Sequence, residues 1–210
     1  MLAVLALSPA APQQPISRMA NYTIVNHISN PGFESGWTNW SSNNSYVDPY
    51  WTGDPDDFDP LWGQGPTTSP KYAGSYAYQF GLDYDLGGAF VHSEVHQSLA
   101  TPMNSDSVYG ATFYAWSPAS NWSPTTVQVK IDYSDATPSY YYQDITGSTY
   151  YMGPSDWQLV NFKSSLKAGK TITKITISTD SYPYDHVNLW IDNVTLSKKV
   201  TLIFYPYPIP

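Results

Sequence analysis

An all-β sandwich is the fold class this sequence predicts, on three observations. Short segments of strand-forming residues recur between clusters of Gly, Pro, Asn, Asp and Ser. No stretch of ten or more residues carries a 3.6-residue apolar period, so little helix is expected. Of 210 residues, 19 are Tyr, 8 Trp and 18 Pro, while only 12% are charged. That balance suits pleated, half-buried surfaces better than helices. The length fits one sandwich domain with added segments and is sufficient to bury a core.

The elements follow in chain order. Met1 to Leu7 is an apolar run, followed by Ser8-Pro9-Ala10-Ala11. This reads either as the end of a secretory signal without its basic start or as an apolar segment of the mature protein. Residues 8–20, rich in Pro, Ala and Gln, read as an extended linker. Val91, Val95 and Leu99 share a face opposite His92, Glu94 and His96. From Val108 to Trp116, Tyr109, Ala111, Phe113 and Ala115 fall on one face, with Thr112, Tyr114 and Trp116 on the other. Val127, Val129, Ile131 and Tyr133 alternate with Gln128, Lys130 and Asp132, the clearest half-buried strand. Trp157 to Phe162 and Ile172 to Ile177 flank a turn at Lys167-Ala168-Gly169-Lys170, and Val187 to Leu196 closes the set. Beyond it, Val200 to Tyr205 reads as one more strand, and the proline-rich 206–210 as extended chain.

Two segments at opposite ends belong together. Asn30-Pro31-Gly32-Phe33-Glu34-Ser35-Gly36, followed by Trp37 and Trp40, lies near the start; Leu189-Trp190-Ile191-Asp192-Asn193-Val194-Thr195-Leu196 lies near the end. This pairing resembles the opening and closing strands of carbohydrate-binding-module jelly rolls, the galactose-binding-like superfamily. Lys71-Tyr72-Ala73-Gly74-Ser75-Tyr76-Ala77-Tyr78, Gln97-Ser98-Leu99, and Trp157 followed by Leu166-Lys167-Ala168-Gly169-Lys170 resemble further pieces in the family's order. The resemblance implies an antiparallel jelly-roll sandwich over 24–197, flanked by extended segments at 1–23 and 198–210. One stretch departs from the pattern: Asn43 to Pro70 reads as a long insertion.

The resemblance also implies a structural calcium between first and last strands, held by Glu34 and Asp192 with nearby backbone carbonyls. Calcium takes several hard oxygen ligands in irregular geometry, so the residue types are suitable. A second candidate is the loop containing Asp54, Asp56, Asp57 and Asp59, where Pro55 intrudes and no distal Glu stands at EF-hand spacing; a solvated acidic loop is the better reading. In the resembling modules sugar rings stack on exposed aromatics, apolar C–H faces against π faces. The candidates here are Trp116, Tyr114 and Trp122, with Tyr141 foremost among Tyr140, Tyr141 and Tyr142. Gln79, His92, Glu94 and His96 would supply hydrogen bonds. For any one of these aromatics, a place in the core is the plainer expectation.

Several function classes are disfavoured. A net charge of −8 without a basic run is a poor match for nucleic acid or anionic lipid. With no cysteine, disulfides and thiolate chemistry are excluded. No run is long enough to span a membrane as a helix. Catalytic motifs are absent, and His92 and His96 on a strand stand roughly 13 Å apart, too far for one ion. A non-enzyme is therefore expected. N-x-S/T sequons at Asn21, Asn39, Asn43, Asn121 and Asn193 lean toward an extracellular or cell-surface setting.

Two functions remain. The first expectation is a self-assembling extracellular filament or tube subunit whose partner is another copy of itself. Leu2, Val4, Leu5 and Leu7 would form a donated strand, and Leu202, Ile203 and Phe204 a contact segment. The alternative is a calcium-stabilised polysaccharide-binding module of a secreted glycoside hydrolase system.

Overall fold

Alternation along single strands decides the architecture. In the computed structural model, which describes residues 21–47, 65–82, 90–118, 125–147, 156–181 and 187–202, Val127, Val129, Ile131 and Tyr133 are all buried while Gln128, Lys130 and Asp132 between them are not. Period-two burial requires one face of the sheet to be covered. The cover is a second sheet.

The described strands are β1 (Asn21–Asn26), β2 (Ser41–Val47), β3 (Gly65–Thr67), β4 (Ala77–Leu82), β5 (Phe90–Asn104), β6 (Val108–Trp116), β7 (Thr125–Tyr133), β8 (Ser139–Ile145), β9 (Gln158–Asn161), β10 (Thr171–Ser181) and β11 (Val187–Leu202). One sheet has the order β3-β4-β11-β6-β9, with β1 also pairing β11; the other has the order β2-β5-β10-β7-β8. All pairings are antiparallel. This is the expected all-β jelly-roll sandwich. Its core lies between the sheets, with Phe80, Phe113, Leu189 and Ile191 from the six-stranded sheet meeting Val95, Val129, Ile131, Ile175 and Ile177 from the five-stranded one. Helical turns at Ser105–Ser107 and Lys163–Ser165 mark two strand ends.

Three details differ from the sequence reading. Tyr109 was expected beside Ala111 and Phe113, but is 49% exposed. Ser197 pairs with Gly110 and Lys198 with Val108, so β6 carries one extra residue there. Such a bulge inverts the facing of everything beyond it, and Val108 takes the core position instead. Second, the expected insertion begins and ends in strands: Asn43 lies on β2, and Gly65–Thr67 forms β3. Third, Val187–Leu202 is one continuous strand, so the segment after residue 197 prolongs β11. Its far half pairs with β1, Tyr22 opposite Thr201 and Ile24 opposite Lys199.

Candidate functional site

The face of the five-stranded sheet that points away from the core gathers polar side chains into rows. β-strand pairing aligns them. Asn43, Glu94, Ser178, Gln128 and Tyr142 stand opposite one another across β2, β5, β10, β7 and β8. The adjacent row is Ser41, His96, Thr176, Lys130 and Tyr140. Four interstrand spacings make each row about 19 Å long.

The tyrosines close one end. Tyr140 and Tyr142 are 46% and 60% exposed, with ring centroids 6.5 Å apart and planes at 17°. Residues two apart on a strand share a face, which is why their rings lie side by side. Gln128 Nε2 donates to the Tyr142 hydroxyl (2.9 Å), and Ser178 Oγ donates to Gln128 Oε1 (3.2 Å). The Lys130 ammonium lies 3.1 Å from Asp132, which pushes the lysine pKa up.

The middle of the face carries a run of acids and imidazoles. His92 Nδ1 is 2.6 Å from Asp180 Oδ1, and His92 Nε2 is 3.5 Å from Glu94 Oε2. Glu94 Oε1 lies 3.2 Å from His96 Nδ1, close but without hydrogen-bond alignment. The bond to Asp180 raises the His92 pKa, against the opposing effect of burial, and Glu94 adds to the rise.

The remaining sugar-contact candidates lie elsewhere. Tyr141 points the other way from its neighbours, packs against the core and donates to Gln143 Oε1 (2.9 Å). The sequence held a signal for this: Ile145 is buried, so Tyr141 and Gln143, at even spacing from it, share its inward side. Trp116, only 6% exposed, is buried with Ala77, Trp157 and Trp190 on the outer side of the six-stranded sheet. Tyr114 stacks on Tyr72 at 3.6 Å. Gln79 pairs with Trp190 on that same sheet. His92 and Glu94 are thus brought together with each other and not with Trp116, Tyr114 or Gln79. Asp180 and Gln128 were missed, because nothing in their own segments reveals which strands flank them. Trp122, the Asp54, Asp56, Asp57 and Asp59 loop, the Leu2, Val4, Leu5 and Leu7 segment, Ile203, Phe204 and Asn121 lie outside the described residues. Asn39 and Asn43 are exposed; Asn21 begins β1.

Glu34 and Asp192 do converge. The Asn30–Trp40 turn is held by Asn30, whose Nδ2 donates to Gly36 O (2.9 Å) and whose Oδ1 accepts from Ser35 N (3.0 Å). Phe33 anchors it in the core, stacked on Trp40 with centroids 5.0 Å apart. Val194 N donates to Pro31 O (2.9 Å), fastening the turn to β11. The Glu34 carboxylate accepts from Ser75 N and Tyr76 N, and Asp192 from Tyr72 N, Ala73 N and Asn193 N. A Cβ on Gly32 would lie 3.3 Å from Asp192 Oδ1 and 3.6 Å from Glu34 Oε1, so the two carboxylates face a shared space. Asp192 is 1% exposed. Burial pushes its pKa up to about 6, the Glu34 charge adds to the rise, and the three amides oppose it. Two hard carboxylates, one buried and both crowded together, match the chemistry of a calcium site. Each carboxylate has lone pairs beyond those its amides occupy. Among the described residues no cluster of three or more His, Cys, Asp or Glu is suited to a metal ion, so further ligands would have to be backbone carbonyls or water.

No protein-family profile matches the sequence, and no curated protein matches it. Solved structures do. TmCBM61, in complex with β-1,4-galactotriose, is 18% identical, with 85% of this chain and 99% of that one covered and a TM-score of 0.49. A family 16 carbohydrate-binding module is 14% identical over 83% and 99%, with a TM-score of 0.47. The family 11 module of the cellulosomal cellulase Lic26A-Cel5E of Clostridium thermocellum is 9% identical over 90% and 99%, with a TM-score of 0.43.

Proposed function

We propose that this chain is a non-catalytic polysaccharide-binding module of the extracellular space, with its ligand lying across the outer face of the five-stranded sheet. One observation carries the reading: an exposed pair of tyrosines with nearly parallel rings, Tyr140 and Tyr142, ends two rows of polar side chains. Sugars present apolar C–H faces and a rim of hydroxyls. An aromatic platform beside hydrogen-bonding groups complements both. Carboxylates on this face, Glu94, Asp132, Asp144 and Asp180, outnumber its lysines, Lys130 and Lys174. That balance favours a neutral chain over a polyuronate.

The test is affinity electrophoresis in gels containing soluble β-glucan, β-1,4-galactan or polygalacturonate. Retardation by a neutral polymer, abolished in Tyr140→Ala and Tyr142→Ala, is the expected result. Equal migration of wild type and both variants in every gel would overturn the reading.

Self-assembly, with other copies as partners, is the second reading, and a specific observation favours it. Beyond residue 198, β1 and β11 continue as a two-stranded ribbon with apolar side chains exposed on both faces at and beyond that point: Tyr22, Ile24, Val25 and Leu202 are each more than 40% exposed. Among the described residues β1 pairs only with β11. An uncharged edge strand of this kind accepts another strand readily. Negative-stain electron microscopy tests this: regular filaments or tubes support it, and single particles of one-domain size count against it.

Calcium at Glu34 and Asp192 belongs to either reading. The two carboxylates would supply the charged ligands, and the ion would tie the first turn to the last strand. Such an ion contributes structure and leaves the tyrosine face unaltered.

A further inference from the structure

The Asp180–His92–Glu94–His96 run is more than a hydrogen-bonding surface. Resting on the polysaccharide reading above, we infer that Glu94 is the ligand-contacting acceptor at the centre of the face, and that His92 is a positioning residue which occupies it when protonated. The consequence is binding that strengthens as pH rises.

The geometry fixes the two states. Asp180 Oδ1 is 2.6 Å from His92 Nδ1, a short contact that keeps a proton on that nitrogen. A protonated ring therefore also carries an N–H at Nε2, the nitrogen that lies 3.5 Å from Glu94 Oε2, an ion-pair distance. Both carboxylates then lie beside one imidazolium cation. When the ring loses a proton, Nε2 becomes an acceptor facing a carboxylate oxygen. Two lone pairs repel, so Glu94 is released to take hydrogens from sugar hydroxyls. Glu94 sits where that release matters, between Asn43 and Ser178 in the row that ends at Tyr142.

The surroundings of His92 are mixed in charge. On β5 it faces Glu94, with His96 beyond; on β10 it faces Asp180, with Lys174 further along. β7 contributes Lys130 and Asp132, already paired with each other, and β8 contributes Asp144 and the two tyrosines. On β2 the residues opposite His96, Glu94 and His92 are Ser41, Asn43 and Ser45, all neutral. Asp180 dominates, and it raises the His92 pKa. The sign follows: protonation persists to higher pH than in an ordinary histidine, so the weak-binding state is extended upward in pH and gives way as the ring deprotonates.

Isothermal titration calorimetry with a soluble neutral β-glucan and with β-1,4-galactan, between pH 5.5 and 8.5, tests the inference. The wild-type association constant is expected to rise about tenfold for the bound polymer, the scale of one hydrogen bond to a charged group. Asp180→Asn removes what holds the proton and should move the midpoint to lower pH. Glu94→Gln should bind weakly and without pH dependence, and His92→Ala should lose the pH dependence. A flat wild-type profile combined with loss of binding in Tyr142→Ala would overturn this inference and leave the glycan-binding face standing. No binding of either polymer at any pH would overturn both.

Discussion

Gly74 shows how closely a single residue can be specified. Its φ is +59°, where a side chain is strained, and a Cβ there would overlap Glu34 Oε1. Gly74→Ala is therefore expected to cost about 2 kcal/mol of stability, from backbone strain and from displacing Glu34 off the Ser75 and Tyr76 amides. Urea unfolding measures it, and a midpoint equal to wild type would show that the loop yields without loss. The convergence of Glu34 and Asp192 was legible only through the resemblance of their two segments to the opening and closing strands of a jelly roll, since nothing local pairs residues so far apart in the chain. The tyrosine face was legible only in part. In Ser139-Tyr140-Tyr141-Tyr142 three like residues succeed one another, and composition cannot say which is out. Only the buried ends of the strand, Ser139 and Ile145, set the parity that turns Tyr140 and Tyr142 to solvent.

At the scale of elements, β10 is the beam of the five-stranded sheet, flanked by β5 and β7. Ile175 is fully buried, and its neighbour Lys174 points to the opposite face, beside Ser98 and Asp132. Ile175→Ala is expected to destabilise by about 2–5 kcal/mol, and Lys174→Ala by under about 0.5 kcal/mol. Equal losses in chemical denaturation would mean that the strand's facing is misassigned. Period-two patterning made β7 and most of β5 readable in advance. Bulges were not readable: at Tyr109 in β6, an extra residue breaks the count that sequence reasoning carries forward. Strand ends were equally opaque, since β11 runs through Lys198 and Lys199, two residues that looked like a boundary. There the ribbon begins, Lys199 Nζ resting 3.7 Å from the centre of the Tyr22 ring. Ile24→Lys places a charge on its exposed apolar face. If the ribbon drives association, that change should convert assemblies to monomers in sedimentation analysis; an unchanged distribution would clear the ribbon of the role.

The whole molecule is joined at Asp192, because the turn of residues 30–40, the loop of residues 72–76 and β11 meet there. In the folded chain its pKa is raised to about 6, against roughly 3.9 in an unfolded chain. Between about pH 4 and 6 the folded state therefore holds a proton that the unfolded state has released. Stability contributed by this group is full below about pH 4, falls as pH rises to about 6, and is constant above. The loss is on the order of 3 kcal/mol, opposite in sign to ordinary acid denaturation. A bound calcium would reverse the logic, since a cation stabilises the carboxylate and lowers its pKa. In chelator, the melting temperature should climb as pH is lowered from about 7 to 5. In calcium it should be higher at pH 7 and should not climb on acidification, because protonation now competes with the ion. Asp192→Asn removes the titrating charge, so its melting temperature should ignore both calcium and this pH window. Differential scanning calorimetry across the two buffers decides the matter. Identical curves in calcium and chelator, with the wild type still gaining stability on acidification, would leave Asp192 as a buried acid satisfied by its amides and with no ion to serve.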